Sequence, residues 1–304
     1  MQTITWQVIA ITTGNPQNGS MNSLTTAQHN NNGFGGLLRT WRTRRKRSQL
    51  DVSLDAGVSQ RHLSFLESGR AKPSRDMILQ LAEVLDIPLR EQNLLLNSAG
   101  FAAHYPARPL DSEEMVAVRN ALDLTLQHHE PYPALVMDRN WNLLLQNQAA
   151  ERFIGLLGTP TEVWAKVDNN GQRNIMRMTF SPAGLQPFIS NWPEVSCMLL
   201  SRLQREVTAD TSNAELNQLY RELCQLSCVP ERGPVPAPIT APEPILPLEL
   251  EMNGMTLRIF SMISTFGTAL DITADEIRVE TFFPADDFSE TFFRMLQAQA
   301  SQSS

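Results

Sequence analysis

The sequence has little cysteine and no long apolar run. Its 304 residues include three cysteines, Cys197, Cys224 and Cys228, and such an odd, low count argues against a disulfide framework. No run approaches the roughly 18 apolar residues that a membrane-spanning helix needs. The first residues lack the basic leader and the long apolar core of a secretory signal peptide. We therefore predict a cytoplasmic protein that does not associate with membranes.

Recognisable catalytic and metal-binding motifs are also missing. The sequence contains no nucleophile elbow, no phosphate-binding loop and no HExxH motif. His128, His129 and Glu130 are adjacent in the sequence, but successive helix residues point about 100° apart, so they are poorly arranged to bind one ion. The sequence therefore predicts no catalytic residue, no metal site and no cofactor, and hence a protein that is not an enzyme.

Charge is absent from residues 1–33 and unevenly divided over the remainder. Between 34 and 75 there are ten basic and three acidic residues, a net charge of +7, whereas the whole chain carries −7, so the rest sums to −14. The attraction between basic side chains and phosphates acts over a Debye length of about 8 Å. A basic segment can therefore bind DNA even though the rest of the chain is acidic. The uncharged, Asn- and Gln-rich start predicts a disordered leader over 1–33, in which Met1 and Met21 are both candidate start residues.

Helical patterns follow one another closely after this leader. Serines at 48, 59 and 74 are placed to cap three of them, and Gly100 ends the last. These patterns predict a compact all-α domain over 34–103. Its expected helices span 34–47, 49–56, 60–67, 75–85 and 88–98.

The second and third of these helices have the spacing of a helix-turn-helix. Gly57 suits the turn because glycine adopts a positive φ without strain, and Ala56 is small where the two helices would cross. Leu63 and Leu66 would face the core. The outward-facing residues of the third helix are then Gln60, Arg61, Ser64 and Phe65.

Those outward residues predict a DNA-reading surface, because the N-terminal end of the second motif helix enters the major groove. Arg61 can pair with guanine O6 and N7, and Gln60 with adenine N6 and N7, each worth about 1–3 kcal/mol of discrimination. Phe65 would contact a thymine methyl group, beside Ser64. The flanking residues predicted to hold phosphates are Arg39, Arg42, Ser48, Gln49, Arg70 and Lys72.

Four short motifs resemble the XRE family of helix-turn-helix regulators, the Cro and lambda-repressor type. They are Ser48-Gln49, the AGVS of 56–59, Leu66-Glu67 and the GRAKPS of 69–74. The resemblance covers about 37–89 and implies a lambda-repressor-like fold. It implies that Gln60, Arg61 and Phe65 face bases and Gln49 a phosphate, while Glu67 is expected to bond within the domain.

The rest of the chain predicts a mixed α+β domain over 113–299, after a linker at 104–112 and before a disordered tail at 300–304. A hairpin comes early and an antiparallel meander late, with a proline-rich stretch over 228–247 before the meander. The predicted strands are 134–138, 141–146, 246–252, 255–266 and 276–283. The predicted helices are 113–129, 147–155, 174–180, 193–209, 214–226 and 288–298.

Motifs in both domains resemble the MmyB-like subfamily, whose members join an XRE module to a PAS-like ligand-binding domain. The motifs lie at 61–70, 129–134, 138–142, 184–187, 191–192, 265–268 and 282–286. The resemblance extends over nearly all of 37–287. It implies a transcription regulator whose second domain holds a fatty-acid-like molecule in an apolar pocket. Gln186 departs from the family pattern, which favours arginine there.

The residues of the second domain point to such a pocket less specifically. Methionine and aromatic side chains are frequent, and they suit either a flexible acyl chain or an ordinary core. The predicted apolar ligand contacts are Phe153, Met176, Phe180, Phe188, Trp192, Phe260 and Met262. The candidates for holding an acyl carboxylate, with a capping or surface role as the alternative, are Asn174, Arg177 and Asn191.

Two functions fit these features. The first is a regulator that binds double-stranded DNA as a homodimer and responds to a small apolar ligand, such as a fatty acid acting as effector. A dimer is expected because one module of this size reads too few bases for genomic specificity. The second is a partner-controlled repressor or antitoxin-like protein whose C-terminal domain binds another protein. An enzymatic second domain is the weakest alternative.

Overall fold

A computed structural model describes residues 33–168, 171–210, 212–226, 245–252 and 254–302. The predicted leader, apart from Gly33, and most of the proline-rich stretch lie outside the described residues. The chain divides after His104 into two compact units. We describe each by itself, as the first and the second domain.

Helices alone form the described part of the first domain. They are α1 (Phe34–Arg44), α2 (Gln49–Asp55), α3 (Gln60–Glu67), α4 (Arg75–Val84) and α5 (Leu89–Ser98). The side chains of Ser48, Ser59 and Ser74 each accept a hydrogen bond from a first-turn amide that has no partner within its helix. Ser48 and Asp51 complete a reciprocal capping box. Each predicted segment is therefore helical, with small differences at the ends.

The first domain packs around a leucine-rich core to which all of these helices contribute. Leu63 and Leu66 of α3 are fully buried in it. Gly35 on α1 lies so close to α3 that an added Cβ would come within 2.5 Å of the Leu66 carbonyl oxygen. Gly57 has a φ of +60° between α2 and α3, the left-handed conformation that the turn requires. The motif helices are thus fixed by both packing and backbone geometry.

The predicted linker at 104–112 is bonded to both domains. The N–H of His104 donates to the Asn93 side chain of the first domain (2.8 Å). The carbonyl of Pro106 accepts from the N–H of Ile272 in the second domain (2.8 Å). The division of the chain after His104 falls at the start of this segment, and the linker stays a prediction.

The second domain combines helices with a sheet. Its helices are α6 (Val116–His128), α7 (Gln148–Gly155), α8 (Pro160–Val167), α9 (Ile175–Phe180), α10 (Trp192–Ala209), α11 (Ala214–Leu226), α12 (Ile272–Glu276) and α13 (Asp287–Gln302). Its strands are β1 (Ala134–Met137), β2 (Leu143–Gln146), β3 (Leu248–Met252), β4 (Met255–Ser264) and β5 (Arg278–Pro284).

Within the described residues these strands form one antiparallel sheet in the order β2-β1-β5-β4-β3. Leu135 of β1 lies opposite Glu280 of β5, and Ser261 of β4 lies opposite Phe282. Because side chains alternate between the two faces of a sheet, these residues share one face with Ile259. The early hairpin and the late meander are joined through β1 and β5.

Helices cover the two faces of this sheet differently. The face that carries Glu280 packs against α7 and α13, where Phe153 and Phe293 meet Ile259, and against α9 and α10. The opposite face packs against α6, where Leu122 contacts the cluster that includes Val279. The face of the sheet that carries Glu280 and Ser261 is therefore covered by a layer of helices.

The predicted fold class is confirmed, since a helical domain precedes an α+β domain with an antiparallel sheet. Helices α8 and α12 were not predicted. Both helices are short. The first residue of α8 is Pro160, and α12 is capped by the side chain of Asp271. The last helix continues to Gln302, so the predicted tail at 300–304 is corrected, and residues 303–304 lie outside the described part.

Candidate DNA-reading helix and ligand cavity

Helix α3 presents its first turn to solvent. The Ser59 side chain accepts from the N–H of His62 (3.1 Å), which fixes where the helix begins. Gln60 and Arg61 therefore fall in the first turn, and both are exposed. The structure places the two predicted base-reading residues at the end of the helix that enters the major groove in this motif.

Phe65 lies between two arginines on the same surface. The guanidinium carbon of Arg61 is 5.3 Å from the ring centroid of Phe65, and that of Arg70 is 5.8 Å away. Arg61 and Phe65 are one helical turn apart and therefore lie on the same face of α3. Ser64, which is half-buried, lies at the edge of that face. This stacking restricts the rotamers of Arg61 and orders a base-reading side chain in advance.

The carboxylate of Glu67 ties α1, α2 and α3 together. Arg42 donates to it from Nε (2.6 Å) and Nη2 (3.0 Å), and Gln49 donates from Nε2 (2.7 Å). The ion pair raises the pKa of Arg42 above its ordinary value. The Glu67 side chain is only 4% exposed, which confirms that it bonds within the domain.

These contacts correct one predicted phosphate ligand. The Arg42 side chain is 14% exposed, and its remaining guanidinium nitrogen donates to the Arg47 carbonyl (2.9 Å), so it has little capacity left for DNA. Gln49 keeps one amide hydrogen for a phosphate. The other predicted phosphate contacts that are exposed beside α3 are Arg39, Ser48, Arg70 and Lys72.

An apolar cavity of about 260 Å³ lies between the sheet and helices α9 and α10. Its apolar walls are formed by Trp141, Ile175, Met176, Val195, Leu199, Leu248, Ile259 and Phe282. A second chamber of about 70 Å³ shares Ile175, Thr179, Leu248, Ile259 and Phe282 with it. The shared wall places the two chambers side by side.

A larger hollow of about 380 Å³ lies between residues 107–110 and α12. It is more open to solvent than the cavity under the sheet, so it would cover less of a bound molecule. Ligand sites usually bury most of the ligand surface. The enclosed cavity is therefore the better candidate site.

Polar groups enter the cavity from two sides. The Ser261 hydroxyl donates to Oε1 of Glu280 (2.6 Å) on the sheet side, and α10 contributes Arg202 and Arg205. Glu280 is 9% exposed, and its burial raises the pKa of its carboxyl group. Arg205 is exposed, as is Met198, so these two lining residues mark the mouth of the cavity.

Trp141 forms one wall and is held by a charged network. Its ring lies between Arg202 and Arg278, whose guanidinium carbons are 4.9 and 5.1 Å from the ring centroid. Its indole N–H donates to Glu206 (2.9 Å), which also pairs with Arg202 (3.3 Å) and Arg278 (2.9 Å). A carboxylate entering the cavity would compete with Glu206 for Arg202.

The predicted apolar ligand contacts are only partly placed at this cavity. Met176 lines the larger chamber and Phe153 the smaller one. In the described structure, Phe180, Phe188 and Trp192 pack in the adjoining core rather than along either wall. Their prediction as ligand contacts is corrected, because sequence periodicity does not distinguish a core residue from a cavity-lining one.

Two further predicted contacts project away from the cavity. Because Ser261 faces the cavity, its neighbours Phe260 and Met262 face the other side of β4. The Phe260 ring stacks on Phe283, with centroids 5.5 Å apart, although Phe260 is among the residues that line the cavity. Met262 is 60% exposed and is not among them. Met262 is therefore removed from the predicted ligand set, and Phe260 stays a prediction.

The residues predicted to hold an acyl carboxylate are bonded elsewhere. Arg177 donates to Glu222 (3.1 and 3.0 Å) and Asp168 (3.1 Å), and these carboxylates raise its pKa. Asn191 donates to the carbonyl of Pro247 (2.8 Å). Both predictions are corrected, because these polar side chains join structural elements to one another.

Sequence reasoning missed Glu280, Ser261 and Arg202 as cavity residues. One signal was available in β5, where Glu280 stands two positions before Phe282 and therefore points to the same face. A charged residue at an inward strand position marks either an ion pair or a functional group. The register with Leu135 that identifies the inward face was not visible in the sequence.

The described residues contain no group of three or more side chains that could bind a metal ion. None of the described helices is both long and apolar enough to cross a bilayer. Cys224 is buried and Cys197 is half-buried, while Cys228 lies outside the described residues.

The reading helix and the enclosed cavity together define a DNA-binding transcription regulator with a ligand-binding domain. The family model described as helix-turn-helix matches residues 38–92. The model described as the MmyB-like transcription regulator ligand binding domain matches residues 118–296, more than half of the chain. The chain belongs to the MmyB-like transcription regulators, as the sequence motifs predicted.

No curated protein matches the chain. Among solved structures, that of an RNA-binding light-oxygen-voltage receptor aligns with 95% of this chain and 69% of its own, at 10% sequence identity and a TM-score of 0.24. So low a score does not establish a common fold and carries no argument here.

Proposed function

We propose that the second domain binds one acyl-chain molecule of the fatty-acid type and that this binding controls DNA recognition by a cytoplasmic homodimer. The observation that carries the proposal is the space formed by the two adjoining apolar chambers between the sheet and the helices that cover it. The family assignment establishes a ligand-binding domain, and the shape and lining of this space favour an apolar chain as the ligand.

The size and lining of the cavity support this choice. An engineered apolar cavity of about 150 Å³ suffices to bind benzene, and the larger chamber alone is about 260 Å³. Each buried methylene contributes about 0.8 kcal/mol of transfer free energy, so a chain that fills the larger chamber would bind well. Met176 on the wall can adapt its rotamer to the chain.

Two further features of the proposal follow from the reading helix. Helix α3 offers Gln60 and Arg61 to only a few base pairs, so two copies on half-sites about 34–36 Å apart would supply the missing specificity. A ligand changes DNA affinity only if it binds the DNA-competent and incompetent states differently, and such coupling is usually 5- to 150-fold.

Denaturing mass spectrometry of the purified protein tests the proposal. We expect close to one equivalent of an acyl compound to be released. Thr179 lies on the wall shared by both chambers, so Thr179→Phe should abolish this copurification. Thr125→Phe, at an exposed position on α6, is the matched control and should retain the compound, with both variants checked for folding by circular dichroism.

Gel-shift competition supplies the functional readout. Stripping the compound from the wild type should change operator affinity, and adding it back should restore the original value. If neither copurified compound nor added acyl probe is found on the protein, the ligand proposal is wrong. Capture of a defined protein partner that changes operator affinity would then favour the partner-controlled alternative.

A further inference from the structure

Glu280 is a buried acidic residue without a matching cation. It is 9% exposed, and its neighbours across the sheet are Leu135 on β1 and Ile263 on β4, both apolar. Its one hydrogen bond among the described residues is the one that Ser261 donates to Oε1 (2.6 Å). Burying a charged group without a partner costs several kcal/mol in principle, so a residue of this kind calls for an explanation.

The arginines on the facing helix do not neutralise it. Arg202 attracts the carboxylate from a distance, but its Nε donates to Glu206 (3.3 Å) and its guanidinium lies over Trp141. Arg205 is exposed at the mouth. Burial raises the pKa of the Glu280 carboxyl, which favours its neutral form beside the Ser261 hydroxyl.

The remaining hydrogen-bonding capacity of this pair is directed at the cavity. Glu280 and Ser261 both line it, and Oε2 of Glu280 accepts no bond from any residue that the structure describes. A neutral carboxyl can donate one hydrogen bond and accept others. The sheet side of the cavity therefore contains a polar position, with a donor and an acceptor side by side, apart from the arginines of α10.

We propose that Glu280 and Ser261 form a polar recognition site that selects an acyl-chain ligand bearing a neutral hydroxyl or amide group over an ionised fatty acid. The inference rests on the proposed acyl ligand and specifies its head group. A hydroxyl or amide can donate to one oxygen of Glu280 and accept from its protonated carboxyl, while the Ser261 hydroxyl holds the other oxygen. A carboxylate placed there would meet a second acidic group, and its other partners in the cavity are Arg202, which Glu206 already engages, and Arg205 at the mouth.

Calorimetric titration of the lipid-stripped full-length protein at pH 7 tests this selection. The probes are dodecan-1-ol, dodecanamide and dodecanoate, which share one chain length and differ in the head group. We expect the alcohol and the amide to bind about tenfold more tightly than dodecanoate, the equivalent of one well-formed hydrogen bond. The measured quantity is the ratio of dissociation constants within one protein variant.

Variants locate the origin of that ratio. Glu280→Leu and Ser261→Ala should each reduce the affinity for the alcohol by about tenfold and leave that for dodecanoate within about twofold. Glu280→Gln keeps a neutral donor and acceptor and should preserve the preference. Ser264→Ala, on the same strand but outside the cavity walls, is the matched control and should change neither affinity.

The possible outcomes separate the two proposals. Equal or tighter binding of dodecanoate by the wild type overturns the head-group inference and leaves the acyl-ligand proposal intact. A preference for the alcohol that survives both Glu280→Leu and Ser261→Ala also overturns the inference. If none of the three probes binds to the wild type, the acyl-ligand proposal fails, and the inference fails with it.

Discussion

Each domain buries a glutamate, and the surroundings of the two carboxyl groups are opposite. Glu67 accepts two hydrogen bonds from the Arg42 guanidinium and one from the Gln49 amide, all between 2.6 and 3.0 Å. Glu280 accepts one, from the uncharged hydroxyl of Ser261. A buried carboxylate that is fully paired holds structural elements together, whereas one that is incompletely paired and borders a cavity can bind a ligand.

The difference also separates fixed from adaptable regions of the protein. Helices α1, α2 and α3 meet at Glu67, so this ion pair sets the orientation of the reading helix before DNA is bound. The cavity beside Glu280 is lined by side chains on α9, α10 and the sheet, which a ligand would contact together. The first glutamate preorganises a binding surface, and the second keeps hydrogen-bonding capacity that is directed at the cavity.

Replacing Arg42, the cation that pairs with Glu67, should have the largest of the predicted effects, a loss of stability of the first domain. Arg42→Ala leaves the Glu67 carboxylate buried without its charge partner, which typically costs about 3–5 kcal/mol. We expect the first domain to lose that much of its free energy of unfolding. Hydrogen exchange of α1–α3 peptides at increasing urea concentration measures it separately from the second domain.

An exposed ion pair in the same domain provides the control. Arg47 pairs with Asp55, and the two side chains are 32% and 55% exposed, so Arg47→Ala should cost much less stability than Arg42→Ala. Similar losses for the two variants would show that burial does not distinguish these pairs, and the structural role assigned to Glu67 would be wrong.

The first domain was the more predictable of the two from sequence. Its serine caps, Gly57 and its apolar periodicity are local signals, and each specifies a helix end, a turn or a buried face within a few residues. Arg42 shows the limit of such reasoning. Its basic charge suggested a phosphate contact, but its partner Glu67 is 25 positions away, and only the packing of α1 against α3 brings them together.

The ligand cavity was less predictable because long-range register determines it. Phe260, Ser261 and Met262 are consecutive, and a shift of one residue exchanges the face that each side chain occupies. Apolar side chains were favoured as ligand contacts, so Phe260 and Met262 were chosen and Ser261 was not. The pairing of β5 with β1 and β4 fixes the correct face, and those strands are more than 100 and about 20 residues apart in sequence.

The second-largest effect is expected at the reading helix α3, on the discrimination between operator and other DNA. Arg61→Ala should remove a bidentate contact with a base and cost about 1–3 kcal/mol of operator discrimination, while nonspecific affinity falls much less. Competition gel shifts with operator and scrambled DNA measure the ratio. Because Arg61 stacks on Phe65, Phe65→Leu should weaken the preference in the same direction by a smaller factor. Wild-type preference in Arg61→Ala would move the reading function to other residues.

Replacing Glu280 should have the smallest effect on stability, and the effect should be an increase rather than a loss. Burial raises the pKa of Glu280 above the ordinary glutamate value of 4.5, so the folded protein retains this proton to a higher pH than the unfolded chain. Stability contributed by the proton is therefore present below 4.5 and is lost as the pH rises through the folded pKa. Glu280→Gln does not titrate and should be more stable than the wild type at pH 7. For a domain of this size, about 1 kcal/mol raises Tm by about 2–4 °C.

The pH dependence distinguishes this explanation from improved packing. The advantage of Glu280→Gln in Tm should shrink as the pH falls towards 4.5, where the wild-type carboxyl is protonated in both states. Arg202 and Arg205 are the charged groups that face Glu280 from α10, and neither changes charge over this range. A Tm difference that stays constant with pH would mean that folding does not change the pKa of Glu280. In that case its contrast with Glu67 would lie in hydrogen bonding alone.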